Sequence, residues 1–225
     1  MRVVLGSGQE FSLGAKPGTL LSTALKALAD SGVDLGFKIG CEGGVCGACA
    51  VRVNDREVLA CSYALQESDR ITPLRFSEKS ADLATESGAG ARLMRANAWL
   101  IAHAQAGKPF EGKAGSCILC GSCQSACPVY ETSSDFLGPY ALSRVWRYVA
   151  DEREAQKQPH LEAVQQNGIY DCTLCGYCGP VCPQGIDPKM DILNLRSRSA
   201  VVGLQDPNAA AMGGIDFGFN PNQGF

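Results

Sequence analysis

Histidine is almost missing from this sequence: His103 and His160 are the only two in 225 residues, and neither stands near a cysteine. Both are therefore read as packing or solvated residues, not as ligands or bases. Basic runs are missing too, and the formal net charge is −3. A chain without the lysines and arginines that a phosphate backbone demands is not expected to bind nucleic acid. No stretch comes near the roughly 18 apolar residues of a bilayer crossing, so no transmembrane segment is expected. The opening Met1-Arg2-Val3-Val4 does not have the character of a secretory leader. A reducing, cytoplasmic setting is the expectation, and it disfavours disulfides.

What remains is cysteine. There are twelve, and they fall into three sets of four with none left over: Cys41, Cys46, Cys49 and Cys61; Cys117, Cys120, Cys123 and Cys127; Cys172, Cys175, Cys178 and Cys182. Iron in a cluster needs tetrahedral thiolate coordination, so a local run must fold several cysteines round one centre. The first set has the spacing C-x4-C-x2-C-x11-C, a compact form of the plant-type binuclear motif. Its loop, Cys41-Glu42-Gly43-Gly44-Val45-Cys46-Gly47-Ala48-Cys49, is rich in glycine, as a backbone must be to curl round a cluster and aim N–H groups at its sulfurs. A [2Fe-2S] centre is expected there.

The second and third sets share the pattern C-x2-C-x2-C-x3-C-P, ending at Pro128 and Pro183. In two-cluster ferredoxins the fourth cysteine of each run reaches across to the other cluster. Cys117, Cys120, Cys123 and Cys182 are thus assigned to one [4Fe-4S] cluster, and Cys127, Cys172, Cys175 and Cys178 to the other. Zinc is the competing reading. A single C-x2-C pair suits a zinc ribbon, but four cysteines with a trailing proline, occurring twice, do not. With every cysteine assigned, no thiol is left for nucleophilic catalysis.

An α+β organisation follows from the patterning, with an N-terminal β-grasp ferredoxin domain over residues 1–85. Short strands are expected at Met1–Leu5 and Gln9–Leu13 about Gly6-Ser7-Gly8. Leu20, Leu21, Ala24, Leu25 and Leu28 mark a helix that ends near Gly32. Ala50–Val53 and Glu57–Leu59 flank Asn54-Asp55 in a hairpin that delivers Cys61. A linker is placed at Glu78–Gly90. Residues 86–205 are read as an α-helical ferredoxin domain. Its helices are expected from Leu93 to about Ala106, after Gly138-Pro139, from Pro159 to Gln166, and from Asp187-Pro188. Trp146 and Tyr148 are assigned to packing rather than electron relay. Residues 206–225 are expected to be an extended tail that either stays disordered or lies along a partner.

These residues resemble the iron-sulfur subunits of succinate dehydrogenase and fumarate reductase, from the first strand to about Arg198. The likeness rests on the Cys41–Cys49 loop with Cys61, on Cys117 to Pro128, on Phe136-Leu137-Gly138-Pro139, and on Cys172 to Pro183 followed by Asp187-Pro188. It implies three clusters in line, a FAD-containing catalytic subunit facing the [2Fe-2S] end, and interconversion of fumarate and succinate or a related acid pair by that partner. In two places the sequence departs from the family. Members commonly lack the second cysteine of the third set and hold a [3Fe-4S] cluster, whereas here Cys175 implies [4Fe-4S]. Many quinone-reducing members have a Trp pair and a His where this chain has Glu131-Thr132 and Thr173. The departure points to a different distal partner, either cysteine-rich or membrane-anchoring, with the chain peripheral on the inner face of the cytoplasmic membrane in the latter case. The same wire could serve another flavoprotein acting on an organic acid or enoyl substrate, or act as an independent soluble carrier. A molybdenum-hydroxylase small subunit is excluded because it needs a C-x-C pair, which this chain lacks.

Overall fold

The computed structural model describes residues 1–76, 83 and 89–207. Near the N-terminus, β1 (Arg2–Val4) and β2 (Glu10–Ser12) pair antiparallel, with Val3 opposite Phe11. Helix α1 (Leu21–Asp30) follows. Its Leu21, Ala24 and Leu25 recur at helical spacing and are buried, which turns one face onto the core. After the first cysteine loop come β3 (Ala50–Val53) and β4 (Arg56–Leu59), antiparallel with Val51 opposite Val58. The turn between them puts Asn54 and Asp55 at φ 48° and 68°, the left-handed pair that a two-residue hairpin requires.

The sheet order is β2-β1-β5-β3-β4. Its middle strand, β5 (Arg70–Thr72), carries no periodic signal in the sequence because it is only three residues long. β5 runs parallel to β1 and antiparallel to β3, so it ties the two hairpins into one sheet. Buried Asp69, just ahead of it, accepts from Asn54 Nδ2 at 2.7 Å, from the Gln66 N–H at 2.7 Å and from the Tyr63 hydroxyl at 3.1 Å. That one carboxylate joins the hairpin turn to the segment that follows Cys61. The core beneath the sheet is built on Val3, Leu21, Leu25, Leu65 and Ile71, each fully buried; a side chain of this size contributes about 1.5–3 kcal/mol when removed from water.

The second half is helical: α2 (Ala89–Arg95), α3 (Ser122–Ser125), α4 (Pro139–Val149), α5 (Gln158–Ala163) and α6 (Pro188–Val201). Helices α4 and α6 pack on each other round Phe136, Leu142, Val145, Ile192 and Leu195. Pro139 and Pro188 each occupy a first helical turn, and Asp187 caps α6 by accepting from the Met190 N–H at 3.3 Å. Trp146 packs against this core and Tyr148 stacks on His160 with ring centres 5.9 Å apart, which agrees with a packing role.

The helix expected to run from Leu93 to about Ala106 stops instead at Arg95. Asn97 takes φ 50°, and the following strap is held extended: Ile101 and Ala102 donate their N–H groups to the buried Glu154 carboxylate at 2.6 and 3.1 Å. Long-range hydrogen bonding to Glu154 overrides local helical propensity here. Likewise α5 ends at Ala163 rather than Gln166, because Asn167 turns left-handed at φ 52°. The expected linker at Glu78–Gly90 falls largely outside the described residues, as does the tail beyond Pro207.

Residues cross between the two cores. Ile118 and Cys120 pack against the sheet core, and Phe76 packs against the helical one.

Candidate metal centres

The first set sits on the loop joining α1 to β3, with Cys61 in a short 3-10 turn, Ala60–Ser62, directly after β4. Glu42, Gly44 and Gly47 adopt φ 53°, 74° and 74°, and this left-handed curl turns backbone donors inward. The Cys41 N–H lies 3.3 Å from Cys46 Sγ, and the N–H groups of Gly43 and Val45 lie 3.3 and 3.4 Å from Cys41 Sγ. Those donors draw the exposed Cys41 thiol down to about 7. Burial pushes Cys49 the other way, up to about 11. At Gly40 a Cβ would stand 2.8 Å from Cys46 Sγ, so this position has no room for a side chain.

The second and third sets repeat a single backbone design. Leu119 and Leu174, each two residues after the first cysteine of its run, take φ 54° and 57°; Gly121 and Gly176 follow at 81° and 85°. A branched residue held at positive φ costs about 1–3 kcal/mol and persists only where the surroundings enforce it. Both leucines pack on the helical core, and the Leu174 N–H points to Cys172 Sγ at 3.4 Å. Sequence reasoning passed over these two leucines. The available signal was the shared Leu-Cys-Gly that both runs carry in register.

The structure brings the cysteines together across the two runs. Cys182 lies within electrostatic range of Cys117, Cys120 and Cys123, and the four line one small cavity. Cys127, from the other run, neighbours Cys172, Cys175 and Cys178. Burial raises Cys127 to about 11, Cys178 to about 12 and Cys123 well above the usual thiol value. Thiols so placed keep their protons in water, and iron must displace those protons to bind. All-sulfur donor sets, inward N–H groups and a cavity bounded by four cysteines fit iron-sulfur clusters.

The three sets neighbour one another in succession. Gly47 of the first loop packs against Cys120, and Cys123 of the second set faces Cys178 of the third. Cys41, Cys46 and Cys175 are exposed, Cys49, Cys61, Cys127 and Cys178 are buried, and Cys117, Cys120, Cys123, Cys172 and Cys182 are partly exposed. The histidines stand apart. His160 is fully buried, with Nε2 3.1 Å from Glu154 Oε2 and Nδ1 2.7 Å from the Asn97 carbonyl oxygen.

Two family models match this chain: a 2Fe-2S iron-sulfur cluster binding domain over residues 6–88 and a 4Fe-4S dicluster domain over residues 113–186. The 8-methylmenaquinol:fumarate reductase iron-sulfur subunit of Wolinella succinogenes is 31% identical over 212 residues, covering 83% of this chain; the chain spans 65% of that relative's length. The fumarate reductase iron-sulfur subunit of Mycobacterium tuberculosis is 33% identical over 193 residues, covering 76% of each. Among solved structures, a chain of the Mycobacterium smegmatis Sdh1 complex superposes with a TM-score of 0.74 at 20% identity, covering 92% of this chain and 98% of that one. At that identity the likeness speaks for the fold.

Proposed function

We propose, for a chain that belongs to the family of fumarate reductase and succinate dehydrogenase iron-sulfur subunits, that it relays single electrons between a FAD-containing catalytic subunit and a distal partner. The observation that carries the reading is the succession of three cysteine sets, with Gly47 of the first against Cys120 of the second, and Cys123 of the second within electrostatic range of Cys178 of the third. One [2Fe-2S] and two [4Fe-4S] clusters are the cofactors, and when bound they supply one-electron redox chemistry.

Cys41, Cys46, Cys49 and Cys61 would hold the [2Fe-2S] centre. Cys117, Cys120, Cys123 and Cys182 would hold one [4Fe-4S] cluster, and Cys127, Cys172, Cys175 and Cys178 the other. The N–H groups of Gly43 and Val45 stabilise negative charge on Cys41, and the Leu174 N–H does so on Cys172. The two cores keep water from the buried Cys49, Cys61, Cys127 and Cys178, and the exposed Cys41, Cys46 and Cys175 give partners access. Residues 1–85 and 86–205 serve as the two cluster-bearing domains.

The flavoprotein would dock at the Cys41–Cys49 loop and interconvert fumarate and succinate. The distal subunit, cysteine-rich or membrane-anchoring, would meet the Cys175 end. Among the described residues no helix is long and apolar enough to cross a membrane, so any attachment to the inner face of the cytoplasmic membrane would come through that partner. Anaerobic purification of this chain from its native cells, with assay of the co-purifying subunits, tests the reading. A flavoprotein that turns over fumarate or succinate is expected. A flavoprotein inactive on both would move the substrate to another organic acid or enoyl compound, and a lone iron-bearing monomer would overturn the relay.

A further inference from the structure

We propose that Gly47 is a positioning residue for electron transfer, whose missing side chain lets the [2Fe-2S] loop rest directly on Cys120 and so sets the gap one electron crosses between the first two clusters. The inference rests on the relay proposed above. A Cβ built on Gly47 would stand 2.8 Å from Cys120 Cβ, 3.0 Å from its Cα and 3.0 Å from the Ile118 carbonyl oxygen. Backbone of one ligand loop thus meets backbone of the next, with only a hydrogen's width to spare.

Positive φ alone would justify a glycine, and Gly44 shows that it does not account for the contact. Both residues lie on the same loop and both have φ 74°, yet a Cβ on Gly44 would meet nothing within 4 Å. The loop's conformational demand and its close approach to Cys120 are therefore separable, and only Gly47 combines them. Neighbouring contacts hold the approach in place. The Gln184 side chain, two residues after Cys182, donates to the Gly44 carbonyl oxygen at 3.3 Å. Cys120 is itself packed into the sheet core. Glu57 of the sheet and Ser125 of α3 close the joint on the far side with a 2.7 Å hydrogen bond.

One electron crosses per event, so one side is oxidised by one electron and the other reduced by one; no bond is made or broken and no proton moves. Tunnelling falls steeply with distance. An alanine methyl at position 47 must push the loops apart, because contacts of 2.8 Å between carbon atoms cannot persist.

The test compares Gly47→Ala with Gly44→Ala in the purified, fully loaded holoprotein. Both carry the same backbone strain, and only the first has the clash. Iron and sulfide content is measured first. The readouts are then the magnetic interaction between the two reduced clusters by EPR and the inter-cluster electron-transfer rate after pulse reduction. Gly47→Ala is expected to weaken the magnetic interaction and slow the transfer severalfold in molecules that hold all their iron, and to do so severalfold more than Gly44→Ala, which carries the loop's strain without the clash. Equal behaviour of the two variants would overturn the proposal while leaving the relay intact. Absence of clusters from the parent protein would overturn the relay itself. Should Gly47→Ala fail to load, Gln184→Ala decides: it removes a tether without touching a glycine or a ligand. A weaker magnetic interaction there supports the proposal, and an unchanged one overturns it.

Discussion

Ser125 donates a 2.7 Å hydrogen bond to the buried Glu57 carboxylate, and this contact fastens β4, an edge strand of the N-terminal sheet, to the end of α3, between Cys123 and Cys127. The same hydroxyl accepts from the Arg75 N–H at 2.9 Å, and Arg75 Nε donates to the Ser125 carbonyl oxygen at 2.9 Å. Arg75 then reaches Glu131 at 2.8 Å. The polar joint runs alongside the cysteine array, so rigidity between the two halves and spacing between their sulfurs have a common origin.

Ser125→Ala should leave Glu57 buried without its hydroxyl donor. Orphaning a buried carboxylate in this way costs about 1–3 kcal/mol. Denaturant unfolding of the holoprotein is expected to show the loss, with faster amide exchange at Arg75. An unchanged midpoint would mean that Arg52, whose Nε lies 3.4 Å from the same carboxylate, suffices.

Iron content separates the two forms the third cluster could take. With Cys175 as a ligand, about ten irons per chain are expected, the complement of one [2Fe-2S] and two [4Fe-4S] clusters. A count near nine, together with the EPR signal of an oxidised [3Fe-4S] centre, would remove Cys175 from the ligand set.

Cys182→Ser addresses the crossing. Because Cys182 neighbours Cys117, Cys120 and Cys123, the damage is expected in the cluster those residues hold. Spectroscopic loss confined to the cluster of Cys172, Cys175 and Cys178 would show that each run closes on itself.

Asp191, partly buried in the first turn of α6, is raised to about 6 by burial, which outweighs the lowering effect of a Ser143 hydrogen bond, with Asp187 adding a smaller rise. Its folded-state value stands above the ordinary 3.9 or so of an unfolded aspartate, so the folded protein binds the proton more tightly. The stability this group contributes is present at low pH and is lost as pH rises through about 6. Asp191→Asn is therefore expected to gain about 1 to 2 kcal/mol relative to the parent near pH 8, allowing for the solvent that reaches a partly buried group, and to gain least near pH 5. Urea midpoints of the two proteins at both pH values check the sign.

The cysteine runs and the types of cluster were legible because cluster chemistry imposes short, local spacing, and the Cys-Pro endings mark both of the later runs. The hairpin at Asn54-Asp55 and the capped start of α6 at Asp187-Pro188 were legible for a similar reason: turns and caps depend on a few adjacent residues. β5 was not legible, since a three-residue strand shows no periodicity and gains its place only by pairing with β1 and β3. The strap after Arg95 was misjudged as helix because Leu93, Met94 and Ile101 have helical spacing, while the carboxylate that holds the strap extended, Glu154, lies some fifty residues away.

By itself the sequence determined which atoms could bind iron, how many clusters they could form, and that two folds of ferredoxin type follow one another, because ligand identity and local turn chemistry are written in neighbouring residues. Only the tertiary structure decided that Gly47 meets Cys120, that Ser125 meets Glu57, and that Cys41, Cys46 and Cys175 are exposed while Cys49, Cys61, Cys127 and Cys178 are buried. Contacts of that kind depend on how two hydrophobic cores settle against each other, and the energy that selects them is summed over residues far apart in the chain.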